Sequence, residues 1–218
     1  MHQGIPVEPV ANSSDVAGII LAGGRSSRMG RNKALLALPD ESARTFVERL
    51  TSLLSELCVE TLLVARDERS GKEYASFPGA SSRRLIYDDI PDQGPLRGLC
   101  SGLRAMKSEY ALVLAVDLPF VRPELLAWLC ALPLNDELLV PLVGGVPQVL
   151  LARYPRSLLP AIEACLREGR RDPRALLERG PVRFLREEQV RQVDPDLRSF
   201  VNINTPEDFQ RATQLSSL

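Results

Sequence analysis

"VAGIILAGGRSSRMGRNK", residues 16–33, decides how this chain is read. Its first seven residues are almost all apolar, the pattern of a short strand buried on both faces of a parallel sheet. Gly23 and Gly24 then break the run. Four cationic residues follow, Arg25, Arg28, Arg31 and Lys33, with Gly30 among them. Adjacent glycines let a backbone turn tightly and present N–H groups to a ligand without interference from a Cβ. With that much positive charge added, the natural ligand is a polyphosphate. The common phosphate loops fail on spacing: a Walker A loop needs Gly-Lys-Ser/Thr at its end, and Gly30 is followed by Arg31-Asn32-Lys33-Ala34. The dinucleotide fingerprint G-x-G-x-x-G does not fit "GGRSSRMG" either.

The rest of the chain repeats the strand theme. "VETLLVA" (59–65), "RRLIYDD" (83–89) and "YALVLAV" (110–116) read as further buried strands. Between them, "TFVERLTSLLSEL" (45–57) has helical spacing, with Thr45 and Glu48 as a capping box, and "GPLRGLCSGLRAMKSE" (94–109) opens a helix through Gly94-Pro95. Helices are also expected over 122–132, 157–169 and 172–180. "ELLVPLV" (137–143) and "PQVLLARY" (147–154) are candidates for a hairpin around Gly144-Gly145. "SFVNIN" (199–204) reads as a last strand, and Thr205 as the N-cap of a final helix with Asp208 as its partner. Alternating strands and helices imply an α/β fold: a single-domain, Rossmann-like, mostly parallel sheet with helices on both faces. Residues 1–15 read as a flexible tail and 16–214 as the domain.

Composition narrows the chemistry. Of 218 residues 44% are hydrophobic, enough for a sizeable core, and the net charge of −1 gives no global attraction to nucleic acid or membrane. No apolar run approaches the length of a membrane span, and residues 1–15 lack the pattern of a signal peptide. Cys58, Cys100, Cys130 and Cys165 lie apart without any C-x-x-C pair, as in reduced cytoplasmic proteins. The only histidine is His2, which excludes Ser-His and Cys-His chemistry and imidazole-based zinc sites. Lys33 is one of only three lysines among 27 basic residues, so a compact ammonium stands where the chain otherwise prefers arginine.

Ligands of such sheets gather at the carboxyl ends of the strands. The glycine loop, Asp88-Asp89 and Asp117 all fall there. Asp117, closing "VLAVDLPF", reads either as a helix N-cap before Pro119 or as a magnesium ligand; beside a polyphosphate loop the metal role gains weight. Asp88 and Asp89 read either as a turn pair or as further acids of the same site.

"LAGGRSSRMGRNKALL", "YDDIPDQGPLRGLCSGL", "AVDLPF" and "FVNINTPEDF", in this order and spacing, resemble the molybdenum cofactor guanylyltransferases, the MobA-type nucleotidyltransferases. The resemblance runs from about Ala17 to Phe209. It implies transfer of GMP from GTP to the phosphate of molybdopterin, release of pyrophosphate, and a need for Mg²⁺. Residue by residue, it places Leu21, Ala22, Gly23 and Gly24 along the nucleotide, Lys33 on its phosphates, Asp88 in the nucleotide pocket and Asp117 on magnesium. Arg28, Asn202 and Asn204 match positions near the pterin or the reacting phosphates. It further implies a cytoplasmic protein in transient contact with other cofactor-biosynthesis proteins or molybdoenzyme chaperones.

The chain departs from the pattern at two points. "LLVARDE" stands where some members carry an asparagine, and Pro147-Gln148 where many carry His-Pro. The rival readings are a cytidylyltransferase on the same pterin, a sugar-1-phosphate nucleotidyltransferase, and a catalytically silent nucleotide-binding adaptor. The residues themselves suit phosphoryl chemistry without a base, because a phosphate monoester acceptor is already ionised near neutral pH.

Overall fold

A computed structural model describes residues 16–23, 32–38, 44–75, 83–88, 90, 93–133, 135–205 and 207–210. Its strands are β1 (Val16–Leu21), β2 (Glu60–Ala65), β3 (Arg84–Tyr87), β4 (Tyr110–Ala115), β5 (Leu138–Val143), β6 (Val146–Pro147), β7 (Leu151–Pro155) and β8 (Val182–Leu185). They form one sheet of order β3-β2-β1-β4-β7-β5-β6, with β8 also paired to β5. From β3 to β4 every pairing is parallel; β7 runs antiparallel to both β4 and β5. The sheet is therefore mixed and mostly parallel, as expected for this α/β class.

β1 shows why a strand can be apolar throughout. Val16 and Ile20 belong to one core, while Ala17, Ile19 and Leu21 belong to the other. Helices α1 (Phe46–Leu57) and α4 (Pro123–Ala131) cover the first face, and α3 (Pro95–Ala105) and α5 (Leu159–Arg167) the second. Each fully buried isoleucine or leucine here contributes about 1.5–3 kcal/mol. The helix starts follow the sequence signals. Thr45 accepts from the Glu48 amide while Glu48 reaches back to the Thr45 amide, and Pro95 occupies the first turn of α3.

Several local expectations fail. Residues 199–204 form no strand. A 3-10 turn spans Arg198–Phe200 after Leu197 in a left-handed conformation (φ 54°), and the chain continues as coil. The segment's Ile203 amide bonds a turn carbonyl, that of Asp117 (2.9 Å), rather than a ladder partner. Pro173–Glu178 is a 3-10 rather than an α-helix. The expected hairpin does form around the glycine turn (Gly144 φ 56°, Gly145 φ 74°), but in two pieces: β5 pairs antiparallel with the two-residue β6 and, after a break, with β7. The chain then leaves at Gln148, and β7 enters between β4 and β5. Helix α2 (Glu68–Ala75), strand β8 and helix α6 (Glu187–Val190) have no counterpart in the sequence reading.

One buried charge ties the antiparallel strand to its helix layer. Arg153 of β7 is fully buried and donates to the carbonyls of Leu129 (2.9 Å), Leu132 (2.6 Å) and Pro133 (2.6 Å) at the end of α4. Its cation thus meets the negative end of a helix dipole. No helix among the described residues is long and apolar enough to cross a membrane.

Candidate active site

The parallel strands end in a common cleft of about 570 Å³, a size suited to a nucleotide. Backbone bonds fix its floor beyond the strand ends. Ala22 N–H donates to Val64, Val116 N–H to Leu21 and Asp88 N–H to Ala65, at 2.9, 3.1 and 3.1 Å. Leu21, Ala22 and Gly23 come from β1, Asp88 from β3 and Asp117 from β4, and all five line the cleft. The first turn of α3 supplies the facing wall through Gly94, Pro95 and Gly98, so the positive end of that helix is at hand for an anion.

Gly23 makes room for the Asp88 carboxylate, since a Cβ there would come within 3.3 Å of Oδ2. Asp88 thus lines the cleft between β1 and α3, with its Oδ1 sealed from solvent.

Lys33 arrives from a separate segment. Asn32 caps the 3-10 turn Lys33–Leu35 by accepting from the Ala34 amide at 3.2 Å. The turn is buttressed by Tyr74 of α2, a buried residue whose hydroxyl lies 3.2 Å from both the Ala22 carbonyl and Asn32 Oδ1. Burial pushes the Tyr74 phenol upward, so it stays a neutral donor. Lys33 Nζ donates to Asn204 Oδ1 at 2.7 Å and lines the same cleft as Asp117.

The Asp117 carboxyl is raised from the usual carboxylate range, chiefly by burial, with the nearby Lys33 ammonium acting the other way. Its Oδ1 is sealed from solvent with no hydrogen-bond partner among the described residues. A sealed, unsatisfied carboxylate oxygen beside a roomy cleft fits a hard divalent cation that takes its other ligands from phosphate and water. Among the described residues no group of three or more acidic, histidine or cysteine side chains could hold a metal by itself. Asp117 is not an N-cap: Arg122 holds that position on α4.

A second cleft of about 300 Å³ adjoins the first and shares Pro95, Leu150 and Arg171 with it. Gln148, Asn202, Asp172 and Arg174 line its polar side. The Arg171 loop is sealed onto α3 by the Leu96 amide, which donates to the Arg171 carbonyl at 3.0 Å. Gly94 (φ 81°) is needed at this crossing, because a Cβ would meet Arg171 at 3.0 Å.

Leu21, Ala22, Gly23, Lys33, Asp88 and Asp117 are therefore brought together in one space. Asn204 faces Lys33, and Asn202 sits in the second cleft. Gly24, Arg28 and Asp89 lie outside the described residues. Tyr74, Arg171 and Arg174 escaped the sequence reading. Tyr74 lies in a polar helix of weak pattern. "GRRDPR" (169–174) reads as solvated charge unless the α3 contact is known.

The model of the MobA-like NTP transferase domain matches residues 18–188. The chain belongs to the MobA-like NTP transferase family. It is 36% identical over 204 residues to the probable molybdenum cofactor guanylyltransferase of Chloroflexus aggregans, covering 89% of this chain and 92% of that one. The molybdenum cofactor guanylyltransferase of Desulfosudis oleivorans is 33% identical over 199 residues, covering 90% and 94%. Among solved structures, molybdopterin-guanine dinucleotide biosynthesis protein A of Archaeoglobus fulgidus superposes with a TM-score of 0.77 at 30% identity, covering 92% and 98%. The 2-C-methyl-D-erythritol 4-phosphate cytidylyltransferase of Thermus thermophilus shares the fold (TM-score 0.66) at 18% identity.

Proposed function

We propose that this chain transfers GMP from GTP to the terminal phosphate of a molybdopterin-type acceptor, in the cytoplasm, and releases pyrophosphate. One observation carries the reading: Lys33 and the sealed carboxylate of Asp117 line a single cleft at the strand ends. The names of the relatives support guanine and the pterin acceptor. Asp88, which lines the cleft, is the acid available to pair with the adjacent N1–H and N2–H donors of guanine, which adenine and cytosine do not offer together.

In this reaction an acceptor phosphate oxygen attacks the α-phosphorus, the bond from that phosphorus to the bridging β-oxygen breaks, and pyrophosphate departs. The nucleophile is already an anion, so the obstacle is charge repulsion rather than proton removal. Two unit charges about 4 Å apart interact by roughly 4 kcal/mol at an effective dielectric near 20. Lys33 offsets part of that repulsion and steadies the leaving group. Asp117 would hold Mg²⁺, which supplies Lewis-acid stabilisation of the phosphate charge when bound. The first turn of α3 holds the chain of phosphates in line. Arg171 and Arg174 draw the anionic acceptor into the second cleft, next to the reacting phosphorus.

The test is pyrophosphate release with molybdopterin and each of the four nucleoside triphosphates in the presence of Mg²⁺. GTP should dominate. Preference for CTP would move the assignment to cytidylyl transfer, and binding without turnover would make the chain an adaptor.

A further inference from the structure

The Thr205–Asp208 box recognised in the sequence caps a helix, yet its position suggests a second task. The Asn204 and Thr205 amides both donate to Asp208 Oδ2 at 2.9 Å, and the Asp208 amide donates to Thr205 Oγ1 at 3.1 Å. One residue upstream, Ile203 is fully buried and its amide holds the Asp117 carbonyl at 2.9 Å. The turn between these two anchors is left little freedom, and it projects the Asn204 side chain toward a lysine 171 positions away. Holding a long lysine side chain in place before a ligand arrives lowers the side-chain entropy lost when it engages that ligand.

We propose that Asn204 and Asp208 are positioning residues for Lys33: Asp208 fixes the 203–205 turn, and Asn204 Oδ1 holds the ammonium beside Asp117 before substrate arrives. Because Ile203 ties the same turn to Asp117, one segment sets both charged groups of the cleft relative to each other. Asn204 then acts through Lys33 rather than by touching the pterin. The functional part rests on the reading of Lys33 as a phosphate contact; the positioning part does not.

The chain's small number of lysines makes a direct test available. Competitive acylation of the full-length protein with acetic anhydride, read by peptide mass spectrometry, reports Lys33 against Lys72 and Lys107 as internal standards. Asn204→Ala and Asp208→Ala should each raise Lys33 labelling relative to Lys72 by about threefold or more, the effect of one net hydrogen bond. Asp208→Asn should restore the native value, since a single oxygen accepts from both amides. Circular dichroism and melting temperature select variants that remain folded.

A second readout is affinity for Mg²⁺-tripolyphosphate by calorimetry. Asn204→Ala should weaken it about three- to tenfold in the native background and not at all in a Lys33→Ala background. Unchanged Lys33 labelling in Asn204→Ala, or additive losses in the double variant, would overturn the proposal. If Lys33→Ala alone binds tripolyphosphate as tightly as the native chain, the phosphate-contact reading fails, and the labelling result still decides the positioning.

Discussion

The two clefts are built on different principles. The larger one grows out of parallel strands: its side chains sit one or two residues past β1, β3 and β4, and ladder-type bonds continue into the loops that carry them. The smaller one borders the antiparallel part of the sheet and takes its polar lining from Gln148, the 171–174 loop and Asn202. Parallel strands impose a shared edge at which ligand groups converge, whatever the loops do. Where β7 reverses direction, that edge is lost, and the recognition surface must be assembled from crossings such as Gly94 against Arg171.

The sharpest way to break this contrast is at Asp117. Asp117→Asn should lower nucleotidyl transfer by about three orders of magnitude, roughly 4 kcal/mol of transition-state stabilisation. The melting temperature should not fall, and should rise by about 2 °C, because a desolvated charge is removed. Near-native turnover in that variant would take the strand-end carboxylate out of the chemistry. Next in size is Asp88→Asn, which turns one of two acceptor oxygens into a donor. Discrimination for GTP over the other nucleotides, read as a ratio of kcat/KM values, should fall by about tenfold to a hundredfold. Loss of rate without loss of selectivity would show that Asp88 does not read the base.

A smaller effect sharpens the comparison from the other side. Arg174→Ala should raise KM for the pterin acceptor about fivefold while KM for the nucleotide stays put, since Arg174 lines only the second cleft. Equal changes for both substrates would mean the two chambers are not separate in function. The smallest effect is expected in the frame itself. Asp67 accepts from the Ser70 amide and hydroxyl at 2.8 Å each, which holds its carboxyl down at about 2 from 3.8. A carboxyl depressed by folding stabilises the fold above its unfolded value and loses that contribution as pH falls through the folded one. Asp67→Ala should therefore cost about 1 kcal/mol at neutral pH. The gap to the native chain should close between about pH 4 and pH 2, as followed by denaturant unfolding.

The sequence was most legible where local and global demands coincide. Val16–Leu21 and Tyr110–Ala115 are apolar throughout because both faces are covered, and Asp117 stands out against such a run. The Thr45–Glu48 box and Pro95 announce helix starts by local bonding alone. Residues 199–204 misled because Phe200, Val201 and Ile203 look like strand positions, whereas only Ile203 is fully buried and its amide serves a turn. Helix α2 was invisible because Gly71 and Tyr74 are its only buried residues. Arg171 and Arg174 gained meaning only once the fold laid their loop across the start of α3. Spacing along the chain reports contacts within an element. It does not report which loops will face each other.

The wall shared by the two chambers, Pro95, Leu150 and Arg171, has a further consequence for turnover. If GMP is transferred as proposed, each reactant would fill one compartment, while the joined dinucleotide would lie across the partition, gripped from both sides simultaneously. Tethering makes the second grip nearly free once the first is made. On the proposed reaction, bond formation therefore converts two loosely held guests into one tenacious tenant. Its eviction, rather than the displacement at phosphorus, should then limit the cycle.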